Sequence, residues 1–124
     1  MIVIKNMHDS GPSRYDEIHV KVDRSSVLGN PFRMCGECDR DDVCVLYDEY
    51  FNAMIDDDRS ALDAMDIGDE RRTPEFRSRF MDKLDALVSI HKRGRGLVLY
   101  CWCAPRRCHA ETIKRYVLSK SNRA

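Results

Sequence analysis

Leu97-Val98-Leu99-Tyr100 is an uninterrupted apolar run, approached through Gly94-Arg95-Gly96 and left abruptly through Cys101-Trp102-Cys103-Ala104-Pro105-Arg106-Arg107-Cys108-His109. A run without polar alternation needs cover on both faces, as a central strand of a parallel sheet has. Its exit is as constraining as its composition. Three cysteines and a histidine stand between that strand and a pattern that puts Thr112, Ile113, Tyr116 and Val117 on one helical face. The helix is expected to start near Arg107 or Cys108, so the chain turns from strand to helix through its most reactive segment.

The remaining chain alternates strand and helix patterns without internal repeats. Ile2-Val3-Ile4 reads as a first strand, closed by the turn formers Ser10-Gly11-Pro12-Ser13. Ile18-His19-Val20-Lys21-Val22 alternates apolar and polar positions, which suits a half-buried strand with His19 on its wetter side. Ser25 to Phe32 is a loop in which Gly29 can take a positive φ and Pro31 biases Asn30 away from helix. From Asp41 the pattern turns helical, with Val43, Tyr47, Tyr50, Phe51 and Met54 on one buried face and Asp41 or Asp42 as its cap. Ile55 to Arg72 reads as a frayed helix end, a short second helix and an exposed loop. Thr73-Pro74 then marks a helix start, whose inner side carries Phe76, Phe80, Leu84, Leu87, Val88 and His91 and which Gly94 and Gly96 end. The expected fold is α/β: one domain over residues 1–124, Rossmann-like, with a small, largely parallel sheet flanked by helices and a ligand edge beyond the carboxyl ends of its strands.

The 124 residues fit one compact core, and the apolar stretch from Gly96 to Pro105 is about half of the roughly 20 residues a membrane-crossing helix needs. Met1-Ile2-Val3-Ile4-Lys5 has no signal-peptide layout, so a soluble, cytoplasmic protein that does not enter membranes is expected. Its six cysteines then read as reduced thiols or metal ligands rather than disulfides. The zero net charge conceals a polarity: residues 37–70 carry 13 acidic and two basic side chains, whereas residues 71–124 carry 14 basic and four acidic. The two halves either neutralise each other in the fold or steer charged partners. Basic residues are dispersed without interleaved aromatics, which disfavours a nucleic-acid platform, and the acidic runs read as solvated faces.

A thiol at a helix start is stabilised as thiolate by unpaired N–H groups and the positive end of the dipole, so Cys108 is the candidate nucleophile, with Arg106 and Arg107 adding charge and His109 a candidate proton carrier. The competing chemistry is zinc. Cys35-x-x-Cys38 has knuckle spacing but lacks a second such pair. A four-ligand site can be completed from Cys44 and the later cluster, from Cys108 and His109, or built from Cys101, Cys103, Cys108 and His109 alone. Of the other histidines, His8 lies in a loop and His91 completes a core stripe.

Gly29-Asn30-Pro31-Phe32, preceded by Arg24-Ser25-Ser26, together with the Cys101 to His109 segment written CWCAPxxCH, resembles an uncharacterised family, domain of unknown function 4326. Its members are small proteins of bacteria, phages and mobile elements, and the resemblance runs from about Val20 to Val117. It implies a shared fold and site without an established reaction. It also implies that the two motifs meet, with Asp23, Arg24, Ser25 and Asn30 facing Cys101, Cys103, Cys108 and His109. This chain departs from the family pattern in Cys35, Cys38 and Cys44, and in an acidic excursion from Asp56 to Glu70.

Two functions follow. In the first, a nucleotide-like or other phosphorylated small molecule is held by Arg24, Ser25, Asn30, Arg106 and Arg107, with Cys108 and His109 available to act on it. In the second, zinc holds the fold, and the acidic segment from Glu37 to Glu70 engages a basic host protein. An open pocket beside Cys108 favours the first; a closed metal site with an exposed acidic helix favours the second.

Overall fold

The computed structural model describes residues 2–6, 17–23, 25–32, 40–101 and 109–121, the side chains of Arg40 and Asp41 excepted. Arg24, Cys35, Cys38, Cys103, Arg106, Arg107 and Cys108 lie outside the described residues, as do His8 and the turn expected at Ser10 to Ser13.

Three strands, β1 (Ile2–Asn6), β2 (Glu17–Lys21) and β3 (Gly96–Cys101), form a parallel sheet in the order β1-β3-β2. The apolar run is thus the middle strand, as its lack of alternation requires, and Leu97, Val98 and Leu99 are all buried. Ile2 and Ile18 sit beside Leu97, and Ile4 and Val20 beside Leu99, so one face is aliphatic up to the Asn6 and Cys101 pair at its end. On the other face the rows are Val3, Val98 and His19, then Lys5, Tyr100 and Lys21. The aliphatic face joins the main core; His19 on the other face is exposed and stacks on Tyr100 at 5.5 Å, its Nδ1 2.7 Å from the hydroxyl.

Between β2 and β3 run α1 (Arg40–Asp56), a short α2 (Arg59–Asp63), a 3-10 turn at Glu70–Arg72 and α3 (Pro74–Lys92); α4 (Ala110–Ser121) follows β3. Helices α3 and α4 pack side by side, α3 against β3 and α4 against β1 and β3. Helix α1 locks onto both through aromatic rings. Phe51 meets Phe80 of α3 edge-on at 5.5 Å and Tyr116 of α4 at 5.5 Å, while Tyr50 meets Phe80 at 6.1 Å. The spacing of Tyr47, Tyr50, Phe51 and Met54 places all four on the buried side of α1.

Local signals account for the ends of α3, whereas α1 already begins at Arg40 and takes in Asp41 and Asp42, its expected caps. Thr73 is extended, with ψ 149°, and its Oγ1 accepts from the Phe76 N–H at 3.2 Å, while Pro74 fills the first helical position, where no N–H is needed. Gly94, at φ +80°, reverses the chain after α3 and donates to the His91 carbonyl at 3.0 Å. Gly96, expected to help end the helix, already belongs to β3. Helix α4 starts at Ala110, later than the expected Arg107 or Cys108, because His109 serves as the turn before it: its carbonyl accepts from the Thr112 N–H at 3.1 Å.

The acidic and basic halves meet in space. Asp57 pairs with Arg77 at 3.6 Å, Glu70 with Arg79 at 3.8 Å and Asp48 with Arg115 at 3.1 Å, each pair joining the two regions of opposite charge. Such surface pairs contribute little energy singly, but they fold the two halves of the charge pattern onto one another.

Because Phe51 is the ring through which α1 grips both α3 and α4, Phe51→Ala is expected to cost about 3–5 kcal/mol of unfolding free energy. Thr73→Ala should cost about 1 kcal/mol, the worth of one helix cap. Urea denaturation of the two variants checks both values and their order.

Candidate functional site

The strands end together at Asn6, Lys21 and Cys101, and the loop that leaves β2 at this carboxyl edge is pulled inward instead of lying on the surface. Val22 continues the pairing by donating to the Tyr100 carbonyl at 2.9 Å. Two linked turns follow, with the Ser26 N–H on the Asp23 carbonyl at 3.0 Å and the Gly29 N–H on the Ser26 carbonyl at 2.9 Å. The path then dives: Leu28, Gly29 and Asn30 are buried.

A buried loop carries carbonyl groups that water cannot reach, and each needs a donor from elsewhere. Three are supplied from three separate elements. His109, 6% exposed at the threshold of α4, points Nε2 at the Val22 carbonyl. A carbonyl only accepts, so Nε2 carries the hydrogen in this bond. Tyr47 of α1, fully buried, donates its hydroxyl to the Leu28 carbonyl at 2.7 Å. Arg71, from the 3-10 turn, donates to the Gly29 carbonyl at 2.9 Å and to the Tyr50 hydroxyl at 3.2 Å, its guanidinium over the rings of Tyr50 and Phe76. The donors are themselves in contact, since the His109 ring stands edge-on to Tyr47 at 5.0 Å and Tyr47 packs on Tyr50 at 5.8 Å. Burial pushes the Tyr50 hydroxyl above its usual pKa, with the Arg71 charge pulling the other way.

Asn30 closes the loop from within. Its Oδ1 accepts from the Phe32 N–H at 2.9 Å, bridging the proline between them, and its Nδ2 donates to the Val43 carbonyl in α1 at 3.4 Å. The edge-on contact of Phe32 with Tyr50, at 6.3 Å, completes the seat. The structure thus brings the Gly29 to Phe32 motif and the end of the cysteine motif to one edge, joined through Val22, Tyr47 and His109.

Among the other candidate residues, Ser25 is exposed and donates to the Asp23 carboxylate at 2.8 Å. Cys44 and Cys101 are both buried, Cys101 as the last residue of β3 and Cys44 in the first turns of α1. Among the described residues no cluster of three or more histidine, cysteine or carboxylate side chains has the geometry to hold a metal ion. Sequence patterning identified Tyr47 and Tyr50 as core but not as donors; a tyrosine hydroxyl on a buried helix face needs an acceptor, and that was the available signal. Arg71, in a segment read as an exposed loop, carried no comparable mark.

His91 is half-buried on α3, and its Nδ1 has no hydrogen-bond partner. Burial lowers its pKa from the ordinary 6.5, and the positive amino terminus acts in the same direction.

The model of a protein family described as Domain of unknown function (DUF4326) matches residues 5–119, and the chain belongs to that family. No curated protein and no solved structure matches it.

Removing the Tyr47 hydroxyl strands the buried Leu28 carbonyl, so Tyr47→Phe should cost about 1–3 kcal/mol in denaturant unfolding. Arg71→Met, which strands the Gly29 carbonyl, should fall in the same range of about 1–3 kcal/mol. His91 has a second, pH-dependent signature. Its folded pKa lies below the unfolded one, so the unfolded chain takes up its proton first, and stability should decline as pH falls below 6.5. Melting temperatures of wild type and His91→Gln, followed from pH 7.5 downward, should separate in that interval, the variant declining less.

Proposed function

We propose that this member of the family binds a small phosphate-bearing anion, nucleotide-like in class, at the carboxyl edge of its parallel sheet. The observation that carries the proposal is the convergence of the two motif segments there, through the bond between His109 and the Val22 carbonyl. Ligands of open parallel sheets occupy this edge, where strand ends leave a crevice and helix N-termini offer N–H groups. In this scheme the groups that meet the anion are Arg24, Ser25, Arg106 and Arg107, all beside the latch in sequence. Asn30 and His109 shape the loop, because their described hydrogen bonds run to Val43, Phe32 and Val22. Cys108, which precedes His109 in sequence, is the thiol proposed to react with a bound substrate. With Nε2 of His109 turned to Val22, proton transfer would use its other ring nitrogen.

Zinc is the competing role for the same cysteines, drawn from Cys35, Cys38, Cys44, Cys101, Cys103, Cys108 and His109, four to an ion. One measurement separates the two. Purified protein is assayed for bound zinc, then alkylated with iodoacetamide in the presence and absence of ATP. The anion-site proposal expects Cys108 to be modified first, ATP to slow that modification, and Arg24→Gln to weaken ATP binding about tenfold or more, the worth of one charged hydrogen bond. One zinc per chain with Cys103 and Cys108 shielded until a chelator is added would assign the cluster to metal instead.

A further inference from the structure

The turn that the buried donors hold in place also forms one wall of a pocket beside α1. Pro31, Phe32, Leu46, Asp66, Ile67 and Gly68 line a cavity of 450 Å³, a size ordinary for sites that take a ligand or an anchoring side chain. Ile67 is buried, and the Phe32 ring is fixed by its contact with Tyr50, so two of its apolar residues are preformed. Helix α1 carries an anomaly here. Among the described residues the large hydrophobic side chains that stand exposed are Val45 and Leu46, at 46% and 41%, neighbours on α1, and Leu46 lines the pocket. An exposed apolar side chain that lines a concavity with other apolar residues marks a contact surface more often than an isolated one does.

Charge indicates what covers it. Asp66 lines the pocket and Glu49 stands one turn beyond Leu46 on α1, both exposed, within a stretch from Asp41 to Glu70 that holds 11 acidic side chains and one basic. Among the described residues, Arg71 and Arg72 are bonded to backbone carbonyls, and Arg77, Arg79 and Arg115 pair with Asp57, Glu70 and Asp48, so these five do not supply the complement.

We propose that this pocket docks a basic amphipathic peptide segment of another protein, with one apolar side chain seated between Phe32 and Leu46 and lysine or arginine side chains facing Glu49 and Asp66. Recognition of this kind reads apolar anchors at helical spacing and lets complementary charge set orientation and approach. The docking site does not depend on the anion site, and neither outcome at one decides the other.

The probe is a synthetic peptide with leucine at helical spacing and lysine elsewhere, followed by fluorescence anisotropy against the full chain; control peptides carry glutamate in place of lysine or serine in place of leucine. The lysine-leucine peptide should bind, and both controls should bind at least about tenfold more weakly. Leu46→Glu should weaken binding about tenfold or more, since burying a leucine contributes on that scale, and its exposed position should leave the melting temperature unchanged. Asp66→Asn should weaken binding more than Asp82→Asn, the same change of charge on the exposed surface of α3. Equal losses at Asp66 and Asp82 would reduce the effect to general electrostatics and overturn the proposal, as would binding indifferent to Leu46→Glu. A wild-type chain that sediments as a dimer and becomes monomeric on Leu46→Glu would overturn it too, by assigning the surface to a second copy.

Discussion

A loop that enters a protein interior must bring its own solution for every carbonyl it buries, because water no longer serves as the donor. Here the loop after β2 buries Leu28, Gly29 and Asn30, and its fold depends on donors borrowed from three places distant in sequence: Tyr47, Arg71 and His109. Each donor belongs to an element with another task. Tyr47 is part of the aromatic grip of α1, Arg71 opens the approach to α3, and His109 stands at the start of α4. The loop is therefore the point at which three helical segments are tied to the sheet edge. Half-made, such a network would cost more than an apolar core of equal volume; complete, it fixes the loop in one conformation.

Much of the fold was legible because its signals were local. The uninterrupted Leu97 to Tyr100 run could only be an inner strand, Thr73-Pro74 could hardly be anything but a helix start, and the spacing of Tyr47, Phe51 and Met54 marked one buried face. The strand order was not legible, since nothing in β1 or β2 says that each pairs with β3 and not with the other. The candidate site was half legible. The motif residues pointed to one edge, and Val22 and His109 meet there. That the contact would run through a backbone carbonyl, with Tyr47 and Arg71 completing the set, is a property of three-dimensional packing across 87, 19 and 42 residues of sequence, and no spacing rule encodes it.

The charge pattern shows the same contrast between sequence and space. Read linearly, the chain looks like an acidic block followed by a basic one. Folded, Arg77, Arg79 and Arg115 reach back to Asp57, Glu70 and Asp48, so part of the apparent polarity is internal neutralisation. What remains acidic is concentrated around α1, α2 and the bend before α3. The sheet has its own asymmetry: one face is aliphatic and joins the main core, whereas the other carries Lys5, Lys21 and a stacked His19 and Tyr100.

The strand order has a consequence in time as well as in space. Among the described residues neither β1 nor β2 pairs with the other; each finds its partner in β3, which lies more than 70 residues further along the chain than the end of β2. Among the described residues, a chain growing from its amino terminus therefore has two strands without a pairing partner until Gly96 to Cys101 emerges, and these pairings close long loops all at once. Until then the aliphatic edges of Ile2, Ile4, Ile18 and Val20 have only the helices of the growing chain to cover them. Of the described strands β3 is made last and is the keystone, and a nascent chain halted before it would hold exposed, strand-forming segments of the kind that chaperones bind.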